Sequence, residues 1–474
     1  MRRKLLVNAG PAWTRAALIE DGRFAEIRLL PARGEESAWP LRVGDIYMGR
    51  IRTVSEPMAA AFVDLGAGPD GIAPLPVDGG RLAEGQAVLV QATGPAFQDK
   101  GPRLSLTPHL QGRFAALRPG AGDGLPKAAS DSERAALEGL ARRADVPHGA
   151  RLILRMRAAA ADSDLVIADI AELAARWGAM QNAAASAAPP VRLTPPWDAA
   201  VEAVASFARY NMSEIVFDDA AAFLAAKAAY SASAPDLVEC MTLYTDQKPL
   251  FQTNDVEAAF EAALSPNVDL PAGGRLVISE TPALVAVDID AGSGVATGDK
   301  AKTALAVNEA AAERIAREVR LRALGGQVAV DFLPLERPAD QARLLHALET
   351  AFVAQGLSPR IGPMASFGVV ALAVKRLRLS LLEEMTEDGA DAPAPGRRFS
   401  LERRVAIALA KLDDALRAAP SAKVRLTAPK DVADAIEGAP RRLKGLAARR
   451  GARFEIHADK TLKGEAAHVD IRAV

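Results

Sequence analysis

The chain has 474 residues, half of them apolar, and a formal net charge of −1, so several hydrophobic cores and two to four domains are expected. A lone cysteine, Cys240, excludes a disulfide framework and a cysteine-rich zinc site and fits a reducing cytoplasm. No apolar run reaches the roughly 18–20 residues of a membrane span, and "MRRKLLVNAG" lacks the apolar core of a signal peptide.

In chain order, residues 1–35 read as a hairpin-like start, "KLLVNAG" then "TRAALIEDGRFAEIRLLP", with Asp21–Gly22 at the turn. From about 40 to 107 come short strands split by glycine-rich turns, the pattern of a small closed barrel. A Gly/Pro-rich break precedes an α/β segment at about 130–180, in which "ARLILRMRA" is a strand between two helices. After a second break, "SAAPPVRLTPPWD", further α/β elements run to about 270. "TEDGADAPAPG" reads as a linker, and the rest as a small α/β unit with strands "KVRLTAP", "RFEIHAD" and "HVDIRAV". Residues 396–474 hold about eight more Lys and Arg than Asp and Glu, and the bland reading of these basic clusters is a solvated helical face.

Between about 271 and 384 lie two short apolar strands that end in carboxylates, "ALVAVDID" and "GGQVAVDFLPL", separated by one long helical stretch. Side chains alternate along a strand, so Asp288 and Asp290 share one face while Val287 and Ile289 take the other. A strand–helix–strand connection of this length makes two neighbouring parallel strands, which brings Asp331 beside Asp288 at the carboxyl ends, where open α/β sheets hold ligands. A single strand-end aspartate is ordinarily a cap or turn residue. Carboxylates gathered at adjacent strand ends repel one another unless a cation intervenes, which outlines a magnesium site.

"GGRLVISETPALVAVDIDAG" and "VRLRALGGQVAVDFL" resemble the catalytic core of the ribonuclease E/G family, and collinear matches extend over nearly the whole chain. "GDIYMGRI", "AAFVDLGAGPDGIAPL" and "DKGPRLS" are similar to the family's inserted RNA-binding barrel, "LILRMRAAA" to its 5′-end-sensing region, and "LYTDQKPLF" to its RNase H-like part. The resemblance implies a multidomain α/β protein. Its expected parts are an RNase H-like subdomain in two pieces (1–37 and 201–270), an inserted OB-fold barrel (38–110) and a 5′-sensor-like region (111–200). A DNase I-like catalytic subdomain (271–385), a linker (386–398) and a small C-terminal domain (399–474) follow.

It also implies a cytoplasmic, magnesium-dependent endoribonuclease that cuts single-stranded RNA to 5′-phosphate and 3′-hydroxyl ends, in ribosomal RNA processing or messenger decay. Asp288 and Asp331 would bind Mg2+, with Asp290 in the catalytic set; Phe62 would stack on a base, and Lys100 and Arg155 would meet phosphate. The alternative is an RNA-binding relative with weak or no cleavage. The departures from the family pattern favour that alternative: Asp290 replaces an asparagine, Pro334 a second acid, Ser366 a basic residue and Ala371 a glutamate. Ile72 removes a second stacking aromatic. Met156 replaces a threonine that would donate to phosphate, and Arg157 compensates only if the strand stays regular, so preference for 5′-monophosphorylated RNA is expected to be weak. The two zinc-link cysteines are missing, so a zinc-tied dimer is excluded, while a homodimer through other surfaces stays open.

Overall fold

The computed structural model describes residues 2–31, 41–76, 80–96, 100–195, 198–271, 273–292, 300–365, 367–389 and 396–472. The fold is mixed α/β and divides into two compact units. The first comprises Met1–Glu35, Val216–Asp219 and Tyr244–Val474; the second comprises Glu36–Ile215 and Ala220–Leu243. The stretch expected as the second RNase H-like piece, 201–270, is thus shared between them.

The first unit opens with an antiparallel meander of Arg3–Ala9, Trp13–Glu20 and Arg23–Pro31. Asp21 and Gly22 both take positive φ (47° and 79°), the backbone that a tight two-residue hairpin demands. Asp218 fastens the far end: its carboxylate accepts from the Ala9 N–H at 2.9 Å and from Asn8 Nδ2 at 2.5 Å.

The next sheet of this unit has six strands, in the order Asn267–Asp269, Arg275–Glu280, Val285–Asp290, Gly326–Asp331, Val369–Val374 and Arg360–Met364. Only Val285–Asp290 and Gly326–Asp331 run parallel, joined by the helix Lys300–Arg322. Their alternate residues Val285, Val287, Ile289, Val328 and Val330 are buried in one apolar core with Ile315 and Val319 of that helix and Leu344 and Leu348 of Pro338–Ala354. Alternation sends the remaining residues to the opposite face, which is exposed or half-buried along its length.

A small C-terminal part completes the unit. The strand Lys423–Pro429 pairs in parallel with Phe454–Asp459 and antiparallel with His468–Arg472, against the helix Leu401–Ala418. Its basic clusters are largely committed to internal ion pairs, which corrects the solvated-face reading. Arg403 is only 1 % exposed and reaches Glu261 and Glu465; Arg404 meets Asp431, Arg442 meets Glu402, and Arg449 and Arg450 both meet Asp413. The stretch read as a linker carries a two-stranded ladder at its ends, Thr386–Asp388 with Arg397–Phe399, and 390–395 lie outside the described residues.

In the second unit, Ile46–Ser55, Ala60–Asp64, Gly71–Pro74, Arg103–Ser105 and Ala87–Gly94 pair in turn. The last pairs back on the first, closing a five-stranded barrel consistent with an OB-fold. Tyr47, Ile51, Ala61, Val63, Ala73, Val90 and Leu104 fill it. Beside it, a four-stranded sheet containing Ala115–Pro119 and Ala150–Leu154 packs on the helices Asp131–Arg143 and Ser163–Ser186. Among the described residues, no helix is long and apolar enough to cross a membrane.

Candidate functional site

Asp288 and Asp331 are directly registered partners across the parallel pair, so both carboxylates leave the same face of the sheet at its carboxyl edge. Both are exposed, and among the described residues neither has a hydrogen-bond or ion-pair partner. Asp290 shares their face, but its carboxylate is engaged: Oδ1 accepts from the Gly292 N–H at 2.9 Å, and Oδ2 lies 3.2 Å from Arg275 Nη2. The residues thus form a bare pair with a third, tethered acid beside it, and no cluster of three or more ligating side chains occurs among the described residues. Two free carboxylates suit a hard cation that keeps several waters in its shell, so the donor set fits magnesium.

Three features hold the Asp331 end in place. Asn308, fully buried on the helix Lys300–Arg322, donates from Nδ2 to Leu333 O at 2.8 Å and accepts from the Leu333 N–H at 3.0 Å. Phe332 N–H donates to Gly368 O at 3.3 Å. Gly368 has φ of +91°, and a Cβ there would lie 2.6 Å from Phe332 O, so the hairpin tip comes this close only as glycine. Asn308 escaped sequence reasoning; its one signal is an amide in the apolar stripe of a helix, which needs a partner when buried. Around the pair, Val369 lies opposite Asp331 and Ala371 opposite Ala329, so no acid or base stands on that neighbouring strand. Pro334 is exposed, and Ser366 lies outside the described residues.

In the second unit, Phe62 points away from the barrel core, half-buried between the fully buried Ala61 and Val63. Its cross-strand partner is Ile72, which in turn pairs with Arg103. Lys100 is exposed next to Gly101, where a Cβ would sit 1.7 Å from Asp70 O; this close approach brings the lysine to the Ile72 strand. Phe62 and Ile72 therefore pair on the outside of the barrel, with Arg103 registered beside Ile72 and its guanidinium lying against Gly94 of the next strand; sequence reasoning missed Arg103.

Arg155 follows directly on the strand Ala150–Leu154 and is half-buried. It donates from Nη2 to Gln111 Oε1 at 3.0 Å, its Nε is buried with no partner, and burial above all pulls its pKa below the usual arginine value. It lines a cavity of about 200 Å3 with Arg113, Arg176, Arg209, Asp169 and Glu172. Within that cavity Arg113 is held by both oxygens of Asp236, and Asp169 accepts the N–H groups of Arg113, Phe114 and Ala115. Burial raises Asp169 above the usual carboxylate range despite those three donors. The strand does not continue to Arg157, which lies in a 3-10 turn, Met156–Ala160, and donates to Arg209 O at 2.7 Å. Met156 stands exposed beside it and offers no donor.

Residues 109–377 match the model of the ribonuclease E/G family. The chain is similar to ribonuclease E of Haemophilus influenzae, with 30% identity over 402 residues, which is 81% of this chain and 42% of that protein. It is similar to ribonuclease G of Escherichia coli K12, with 30% identity over 404 residues, 80% of this chain and 81% of that one. With ribonuclease E of a Nostoc strain it shares 31% identity over 361 residues, 72% of this chain and 52% of the relative. The chain thus spans about half or less of the length of these ribonuclease E relatives.

Proposed function

The chain belongs to the ribonuclease E/G family, and from that premise we propose that it is an endoribonuclease that cuts single-stranded RNA at the exposed Asp288–Asp331 pair. The observation that carries this reading is the pairing itself: two carboxylates in register on adjacent parallel strands, exposed and without protein partners among the described residues. A chain with no use for a cation gains nothing by placing two like charges side by side. A magnesium ion held by Asp288 and Asp331 would supply Lewis-acid activation of water and offset charge gathering on the phosphate.

The protein's own residues do the rest. Asn308 and Gly368 hold the end of the Asp331 strand, so the acid meets its ligand without reordering the loop. Asp290, bound to Arg275 and to the Gly292 N–H, serves as the anchor of the Asp288 strand rather than as a third free ligand. Phe62 offers a ring for a base to stack on, with Lys100 on the same barrel to meet phosphate, a combination that binds single strands with little sequence preference. The products are 5′-phosphate and 3′-hydroxyl ends, and the setting is cytoplasmic processing of ribosomal RNA or decay of messengers. In this reading the first sheet belongs to an RNase H-like subdomain and the six-stranded sheet to a DNase I-like one.

A second reading, an RNA binder that cleaves slowly or not at all, is favoured by one observation: Val369 and Ala371 flank the acid pair where an acid or base would assist. Cleavage of a fluorescent single-stranded RNA by pure protein, with magnesium and with EDTA, separates the two. Cutting that needs magnesium and disappears in the Asp288→Ala/Asp331→Ala variant is the expected result. RNA that binds but stays intact across several sequences leaves the second reading standing.

A further inference from the structure

In the first unit, the later half of the helix Lys300–Arg322, the helix Val256–Leu264 and the start of Arg23–Pro31 enclose a cavity of about 250 Å3. Arg314 and Arg317, three residues apart on one helical face, line it together with Arg23, Glu318 and three alanines of the shorter helix. Three guanidinium groups thus face one carboxylate. That carboxylate is already shared: Glu318, only 3 % exposed, lies 2.6 Å from Arg322 Nε and 3.0 Å from Arg314 Nη2. Arg23 and Arg317 have no hydrogen-bond or ion-pair partner among the described residues, and Nε of Arg314 is buried with none. Burial first, then the like charges of Arg314 and Arg23, pull Arg317 below its usual pKa; Glu318 and then Glu313 oppose this more weakly.

Such an arrangement leaves the buried Nε of Arg314, the half-buried Arg317 and the mutual repulsion of three cations incompletely offset, which an entering anion relieves. Guanidinium forks match the oxygens of a phosphate group, and the alanine wall leaves room for one. We propose that this cavity binds a phosphate-type oxyanion, with Arg314, Arg317 and Arg23 as its donors. The helix that carries two of these donors packs on the sheet face opposite Asp288 and Asp331, so the site is separate from the acid pair and does not depend on the cleavage reading. The phosphate is either an RNA phosphodiester or a free phosphate compound.

Calorimetric titration of the full chain with inorganic phosphate tests the site directly. Arg314→Gln/Arg317→Gln is expected to weaken binding roughly tenfold or more. The exposed Arg23→Gln, beside the hairpin turn, repeats the test with a smaller loss if the double variant does not fold. A second arm measures single-stranded RNA affinity against salt in the Asp288→Ala/Asp331→Ala background. A slope of log K against log salt shallower by about one to two identifies RNA as the source of the phosphate. Lost phosphate binding with an unchanged slope assigns a free phosphate compound. No phosphate binding by the unaltered chain, or equal binding by the variants, overturns the proposal, and neither result bears on magnesium-dependent cutting.

Discussion

Arg155 and Asp331 both stand at the end of a strand and both match residues expected to meet RNA, yet their surroundings differ. Arg155 is half-buried, donates to Gln111, and shares its cavity with Asp169 and Arg113, whose own charges are taken up by backbone N–H groups and by Asp236. Asp331 is exposed beside a second exposed carboxylate, and neither is taken up by protein among the described residues. The first arrangement is largely taken up within the protein, with Arg155 Nε left buried without a partner. The second, on the proposed reading, is completed by a cation. A charge already satisfied by its neighbours contributes mainly to structure, while one held rigidly and left bare keeps its full capacity for a ligand.

Breaking the bare pair has the largest expected effect. Asp331→Asn lowers magnesium-dependent cleavage by on the order of a thousandfold, while RNA affinity by fluorescence anisotropy stays unchanged. Unaltered cleavage would detach the chemistry from this strand end. Asn308→Ala tests whether the pair depends on its support. Losing a buried amide that satisfies both backbone groups of Leu333 costs about 1–3 kcal/mol, read by chemical denaturation, and turnover falls further than that loss of folded protein accounts for. Equal losses in both would make Asn308 purely structural.

Glu280, at the end of the strand next to Asp288, adds a pH dependence. Burial raises it to about 7 from an ordinary 4.5, offset in part by the Ser380 hydroxyl that donates to it at 2.5 Å. The folded chain therefore keeps a proton that the unfolded chain releases. Its contribution is full below about pH 4.5 and is lost as pH rises through 7. Glu280→Gln is expected to remove a difference of roughly 2–3 kcal/mol between pH 5 and pH 8 in the stability of the first unit. Parallel pH profiles for the two proteins would contradict this. The smallest effect is expected at Arg155. Arg155→Gln changes the preference for 5′-monophosphate over 5′-hydroxyl RNA by less than about twofold, because Met156 supplies no donor to share the phosphate.

What was legible in the sequence follows from local periodicity. Alternation along "VAVDID" and "GQVAVD", with a helix-length connection between them, is enough to place Asp288 beside Asp331, and the short strands of 40–107 suffice for the barrel. The Asp21–Gly22 hairpin and the three C-terminal strands were equally readable. What stayed hidden rests on contacts between distant residues. Arg275 captures Asp290 only because their strands pair, and Arg403 is buried only because Glu261 and Glu465 converge on it from either side in sequence. Arg157 substitutes for the missing threonine only on a regular strand, and it lies instead in a 3-10 turn with its guanidinium donating to Arg209 O.

The most direct test of the central claim is the binding of Mn2+, a spectroscopically visible substitute for Mg2+, to the RNA-free protein. Electron paramagnetic resonance is expected to detect one bound ion in the unaltered chain, displaced by excess magnesium, and none in Asp288→Ala/Asp331→Ala. Equal Mn2+ binding by both proteins would mean that the carboxylate pair is not the metal site, and the account of cleavage built on it would fall.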